Sequence, residues 1–198
     1  MNDRARLIAA VRREADASSD FDLNPDTVLP EGRKLRQAGV LVPVMPGAGG
    51  ADVLLTIRST RLKHHPGQIS FPGGKREESD ADSIDAALRE AQEEVGLAPE
   101  HVEILGTLPS HETVTGFVVT PVIGWIDRPF TIRPEPGEVA EVFRVPLHRV
   151  TDKARFSVQS RRWRGSRRHY YTVPFGPYYI WGATARILRG LAEQLEAV

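Results

Sequence analysis

The 198-residue sequence contains no cysteine. Disulfides, thiolate metal sites and cysteine nucleophiles are therefore excluded, and the redox compartment is left open. Charge of one sign is not in excess either: 26 Lys and Arg balance 26 Asp and Glu. So even a balance gives no broad electrostatic grip on nucleic acid or an anionic membrane, and neither is expected as a partner. No apolar run is long enough to span a bilayer, and residues 1–6 (Met-Asn-Asp-Arg-Ala-Arg) lack a signal-type hydrophobic region. The closing Leu195-Glu196-Ala197-Val198 is not a peroxisomal address. A cytoplasmic protein is the expectation.

What is present is enough apolar residue, 40% of the chain, for one good core and a terminal extension. Residues 1–35 read as an N-terminal helix and loop extension, and residues 36–198 as the main domain. The spacing of Leu7, Ile8 and Val11 predicts a short helix over residues 2–16, and the Ser, Asp, Asn and Pro of residues 18–30 predict a loop. Residues 38–45 and 51–58 predict strands joined by a tight turn, with Pro43 arguing for an edge or a bulge in the first. Further strands are expected at 68–71, 102–108, 117–126 and 138–146, with a polar loop at 110–115. A hairpin over 156–174 turns at Gly165-Ser166. A last helix over 185–196 has Ile187, Leu188, Leu191 and Leu195 as its core face.

Residues 73–97 organise the rest. After the turn Pro72-Gly73-Gly74, Ile84, Ala87, Leu88, Ala91 and Val95 recur at helical spacing. Asp80, Asp82 and Ser83 are candidate N-caps, and Gly96 is a candidate left-handed terminator. The opposite face carries Glu90, Glu93 and Glu94, whose spacings bring their carboxylates onto adjacent turns. Such repulsion has a use if the carboxylates hold a hard divalent cation. The competing reading is a solvated acidic face, with Arg89 clamping one of the glutamates.

Arg89-Glu90-Ala91-Gln92-Glu93-Glu94-Val95-Gly96-Leu97 resembles the second half of the Nudix signature, Gly-x5-Glu-x7-Arg-Glu-u-x-Glu-Glu-x-Gly-u, with u aliphatic. The interval from Gly74 to Arg89 is one residue longer than that pattern, so its first acidic slot falls on Asp80 or Asp82, and neither is given a catalytic role. The resemblance implies an α/β fold: a Nudix α/β/α sandwich, a mixed β-sheet between helices with a central loop–helix metal site. It also implies Mg²⁺ or Mn²⁺ as cofactor. Glu93 and Glu94 would be inner-shell ligands, Glu90 a further ligand or general base, and Arg89 their orienting partner. A glutamate near a later strand would complete the set, Glu138 matching best and Glu141 next.

The stretch Leu54-Leu55-Thr56-Ile57-Arg58-Ser59, followed by Lys63 and by Gly67-x3-Phe71-Pro72-Gly73-Gly74, resembles the block that marks coenzyme A diphosphatases within that family. The closing Ile180-Trp181-Gly182-x-Thr184 also looks like Nudix hydrolases of this size. Arg58, Arg61 and Lys63, beside His64 and His65, are cations suited to a diphosphate, Arg58 above all. Gly73 and Gly74 let the backbone approach phosphate or metal. The implied reaction is hydrolysis of coenzyme A or its thioesters to 3′,5′-ADP and 4′-phosphopantetheine. Alternatives are another nucleotide diphosphate derivative such as ADP-ribose, or a non-catalytic nucleotide-binding module. Isopentenyl diphosphate isomerase, which needs a cysteine, is disfavoured. His111, Glu112, Thr113 and Thr115 are placed for the pantetheine end. Arg161, Arg162, Arg164, Arg167 and Arg168 crowd the hairpin tip, either as a clamp for the 3′-phosphate of coenzyme A or as gatekeepers against edge pairing. The partner is a small-molecule substrate, with a homodimer compatible.

Overall fold

The computed structural model describes residues 2–29, 31–163 and 165–198. The expected tip residue Arg164 lies outside this set. In chain order the elements are α1 (Asp3–Val11), β1 (Ser18–Ser19), β2 (Arg36–Gly47), β3 (Gly50–Arg58), β4 (Ile69–Ser70), β5 (Gly73–Lys75) and α2 (Ser83–Val95). They continue with β6 (Glu103–Thr107), β7 (His111–Glu112), β8 (Phe117–Trp125), β9 (Val139–Pro146), α3 (Leu147–Val150), β10 (Ser157–Trp163), β11 (Ser166–Thr172) and α4 (Gly182–Glu196).

The period of two in β2 and β3 divides the interior. Leu41, Met45 and Leu54 face one side with Ala87, Ala91 and Val95 of α2. Val42, Val44, Val53 and Leu55 face the other, with Leu188, Leu191 and Leu195 of α4 and Leu7 of α1. Among the described residues one mixed sheet of nine strands thus lies between α2 on one face and α1 with α4 on the other, the α/β/α architecture expected from the sequence. β2 runs parallel to β8 from Arg36↔Phe117 to Val44↔Trp125, and antiparallel to β5 and β3 on its other side. β3 also pairs antiparallel with β4 and β9. β10 and β11 form a separate two-stranded hairpin; Ser166, expected in its turn, instead opens β11 and pairs with Trp163.

Several local expectations are corrected. Pro43 does not put β2 at an edge; β2 is central. The other side of β2 is taken by β5 at residues 38–40 and by β3 only from Val44 onward, and Pro43 falls in the gap between those ladders, where no donor is needed. Gly73 and Gly74 form strand β5 rather than a free turn. Their lack of side chains is what admits β5 here, since a Cβ on Gly73 would lie 2.6 Å from the Cα of Val40. The expected loops 18–30 and 110–115 hold β1 and β7, which pair in parallel, Ser18↔His111. α1 ends at Val11, before the solvent-exposed run Arg12-Arg13-Glu14, which has no face to bury. Among the described residues no helix is long and apolar enough to cross a membrane.

Candidate active site

α2 is set by its two ends and by one glycine beneath it. Asp82 caps the start, its Oδ1 accepting from the N–H groups of Ile84 (2.8 Å) and Asp85 (2.9 Å). Gly96 ends it in the left-handed conformation, φ 74°. Gly39 of β2 lies so close below that a Cβ there would fall 1.8 Å from the Ser83 carbonyl oxygen. The helix therefore sits directly on the sheet beside β5, and its acidic face looks along the ends of β3 and β9.

Ligand atoms of Glu90, Glu94 and Glu138 lie within 4.8 Å of one another. Glu94 is buried, 3% exposed, and Glu90 is half-buried. Glu94 Oε2 accepts from the Gly73 N–H at 3.3 Å, and its Oε1 stands 3.7 Å from Arg58 Nη1. A Cβ on Gly74 would lie 2.3 Å from Glu90 Oε1, so the glycine leaves that carboxylate where it stands and a side chain there would push it aside. Glu138 is brought in by the backbone: its carbonyl accepts from the Ser59 N–H at 2.7 Å. A bulge shifts the β3–β9 register from Ile57↔Glu141 to Arg58↔Val139, which sets Arg58 beside residue 138.

Arg89 ties these acids together. Its Nε and Nη2 donate to the two oxygens of Asp80 at 2.9 and 3.0 Å, a fork-to-fork pair. Its Nη1 donates to Glu90 at 3.0 Å and to Glu93 at 3.1 Å. Asp80, 4% exposed, is thus the anchor of Arg89 rather than a helix cap. Glu93, expected beside Glu94 as a ligand, is not brought into the trio; its carboxylate is largely exposed and turned to Arg89. Periodicity did not reveal the Asp80–Arg89 pair, because a loop closes it. The acidic slot left open between Asp80 and Asp82 was the available signal.

The electrostatics follow from burial. The Arg89 guanidinium holds the Asp80 carboxyl below the usual carboxylate range. Burial outweighs every compensating contact at Glu90 and raises it. At Glu94 burial pushes the carboxyl up to about 8 against the opposing pull of Arg58. A buried carboxylate this poorly compensated, grouped with two more and offering only oxygen donors, fits a hard divalent cation such as Mg²⁺ or Mn²⁺.

Of the other expected residues, Arg61 and Lys63 are exposed on the loop between β3 and β4. Glu141 is turned away, accepting from the Tyr178 hydroxyl at 2.6 Å. His111 does not reach a ligand: it is fully buried, bonded between Ser18 Oγ (3.0 Å) and Asp20 Oδ1 (3.2 Å). Glu112 is ion-paired with Arg33. Thr113 and Thr115, however, line a cleft of about 250 Å³ that begins at Arg58 and Gly73 and runs toward α4.

The family model described as the NUDIX domain matches residues 35–165. A Nudix hydrolase named NudL from Citrobacter koseri is 44% identical over 180 residues, covering 91% of this chain and 93% of its own. A NudL from Salmonella heidelberg is 42% identical, covering 89% and 92%. A solved MutT/nudix family protein from Enterococcus faecalis shares the fold with a TM-score of 0.52 at 18% identity, over 87% of this chain and 66% of that one. Family members generally use divalent ions such as Mg²⁺. The chain belongs to the NUDIX family and is a Nudix hydrolase, an enzyme that cleaves the diphosphate bond of nucleoside diphosphate-linked compounds.

Proposed function

We propose that this Nudix hydrolase acts on coenzyme A and its thioesters, releasing 3′,5′-ADP and 4′-phosphopantetheine or its acylated form, in the cytoplasm. The observation that carries the reading is the position of the 54–74 block. Through Arg58 and Gly73 that block touches Glu94 on one side and lines the 250 Å³ cleft on the other. A diphosphate lying over Glu90, Glu94 and Glu138 then has an adjoining space for the organic half of its substrate.

Glu90, Glu94 and Glu138 would hold Mg²⁺ or Mn²⁺, which when bound neutralises phosphoryl oxygens and makes hydroxide available near neutral pH. The remaining work falls to the chain. Arg58, fixed 3.7 Å from Glu94, presents a planar cation to the diphosphate. Arg89 holds Glu90 by a bond whose far end is anchored on buried Asp80, so the carboxylate does not swing away when its neighbours ionise. Glu93 steadies Arg89 from the solvent side. Gly73 and Gly74 keep the backbone low beside both carboxylates. Glu138, exposed and on the edge of the trio, is the residue suited to take a proton from the attacking water.

Mass spectrometry of the products from coenzyme A in ¹⁸O-water with Mg²⁺, run beside ADP-ribose and dGTP, tests this reading. Coenzyme A should be the best of the three, with label in one of the two named products. Preference for ADP-ribose or dGTP would move the substrate and leave the metal chemistry in place.

A further inference from the structure

The cleft beside Arg58 carries more positive charge than a diphosphate requires. Arg58, Arg161, Arg168 and Arg186 line it, against the single carboxylate of Asp20 among the described lining residues. Arg58 has Glu94 at 3.7 Å, Arg186 has Asp22 at 3.5 Å, and Arg168 feels the charge of Asp20. Arg161 has no carboxylate partner among the described residues; its guanidinium sits 4.2 Å from the centroid of the Trp181 ring. Stacking of that kind orients a cation without neutralising it.

The hairpin that bears Arg161 and Arg168 is held from the N-terminal segment. Asn24, 8% exposed, donates from Nδ2 to the carbonyls of Asp20 and His169, both at 2.9 Å. Its Oδ1 accepts from the His169 N–H at 2.8 Å. One side-chain amide thus makes both bonds a neighbouring strand would make to β11. Asp20 is itself fixed by the Val114 N–H at 2.9 Å. Asn24 and His169 both lie outside residues 35–165, the segment that the NUDIX model matches.

We propose that the cleft is a receptor for a phosphomonoester carried on the nucleoside half of the substrate. Arg161, with Arg168 beside it, binds that group, and Asn24 is the positioning residue that sets the hairpin over the cleft. The inference rests on reading the carboxylate trio as the diphosphate site.

Calorimetric titration of adenosine 3′,5′-bisphosphate and of AMP into the full chain with Mg²⁺ tests it. The bisphosphate should bind about tenfold or more tightly, the yield of one charge-assisted pair. Arg161→Ala, a surface change that leaves the core untouched, should bring the two affinities within about twofold, with Arg161→Lys intermediate. Asn24→Ala should narrow the ratio in the same direction. Equal affinities in the unmodified protein, or an unchanged ratio in Arg161→Ala, overturn the proposal. A lower melting temperature with an intact ratio in Asn24→Ala would make Asn24 structural and remove the positioning claim. Turnover of coenzyme A on the same samples keeps the two readings apart: discrimination without turnover removes the substrate, and turnover without discrimination removes this receptor.

Discussion

At the scale of single residues, Glu94 shows how burial sets the chemistry. Its carboxyl is pushed up to about 8, whereas an unfolded glutamate titrates near ~4.3. Between those values the folded, metal-free protein keeps a proton that the unfolded chain has released. Stability from this group is therefore full below the lower value and is lost as pH rises through about 8. A divalent cation displaces that proton, so its apparent affinity should climb by up to about tenfold per pH unit below pH 8 and then level off. Mn²⁺ titrations at several pH values check this, and a pH-independent affinity contradicts it. Glu94→Gln keeps the size and removes the charge. Turnover should fall roughly 10³-fold or more while circular dichroism is unchanged. Asp80→Ala attacks the same site indirectly: it removes the two-pronged anchor of a half-buried guanidinium that Glu90 and Glu93 still hold, costing roughly 1.5–3 kcal/mol in urea unfolding, and lowers turnover by loosening Arg89.

At the scale of elements, the contact of α2 with β2 decides whether the acids meet. Gly39→Ala forces a Cβ into the Ser83 carbonyl and should cost about 3 kcal/mol or more by denaturant unfolding. Asp82→Ala should cost only about 1 kcal/mol, because it removes a cap and leaves the packing alone. α2 itself was legible in the sequence down to its terminator Gly96, since period, cap and glycine all agree. β5 was not, because Gly73-Gly74 has the composition of a turn and becomes a strand only by lying against Val40. β1 and β7 were hidden for the same reason: two-residue strands leave no period to read. Glu138 was found through resemblance, and the structure shows why periodicity was silent, for it is placed by the Ser59–Glu138 backbone bond and a bulge. Asn24 was invisible, an ordinary loop asparagine until β11 folds against it.

At the scale of the whole molecule, the sheet separates two tasks. The α2 face carries the acids, and the α4 face carries the cleft, with Arg58 and Gly73 belonging to both. The terminal segments close the second face. Leu7 of α1 is fully buried among the α4 residues, and Leu7→Ala should cost roughly 2–5 kcal/mol, read from the urea midpoint. Turnover per folded molecule should be unaffected, since α1 touches neither the acids nor the cleft.

The account's central claim is that Glu90, Glu94 and Glu138 exist to hold a divalent cation against a diphosphate. Anomalous diffraction from Mn²⁺-soaked crystals addresses that claim most directly. The predicted result is a manganese peak enclosed by those three carboxylates and absent from Glu94→Gln crystals. A fully active protein whose manganese binds elsewhere, with the trio left in contact only with solvent, would contradict it.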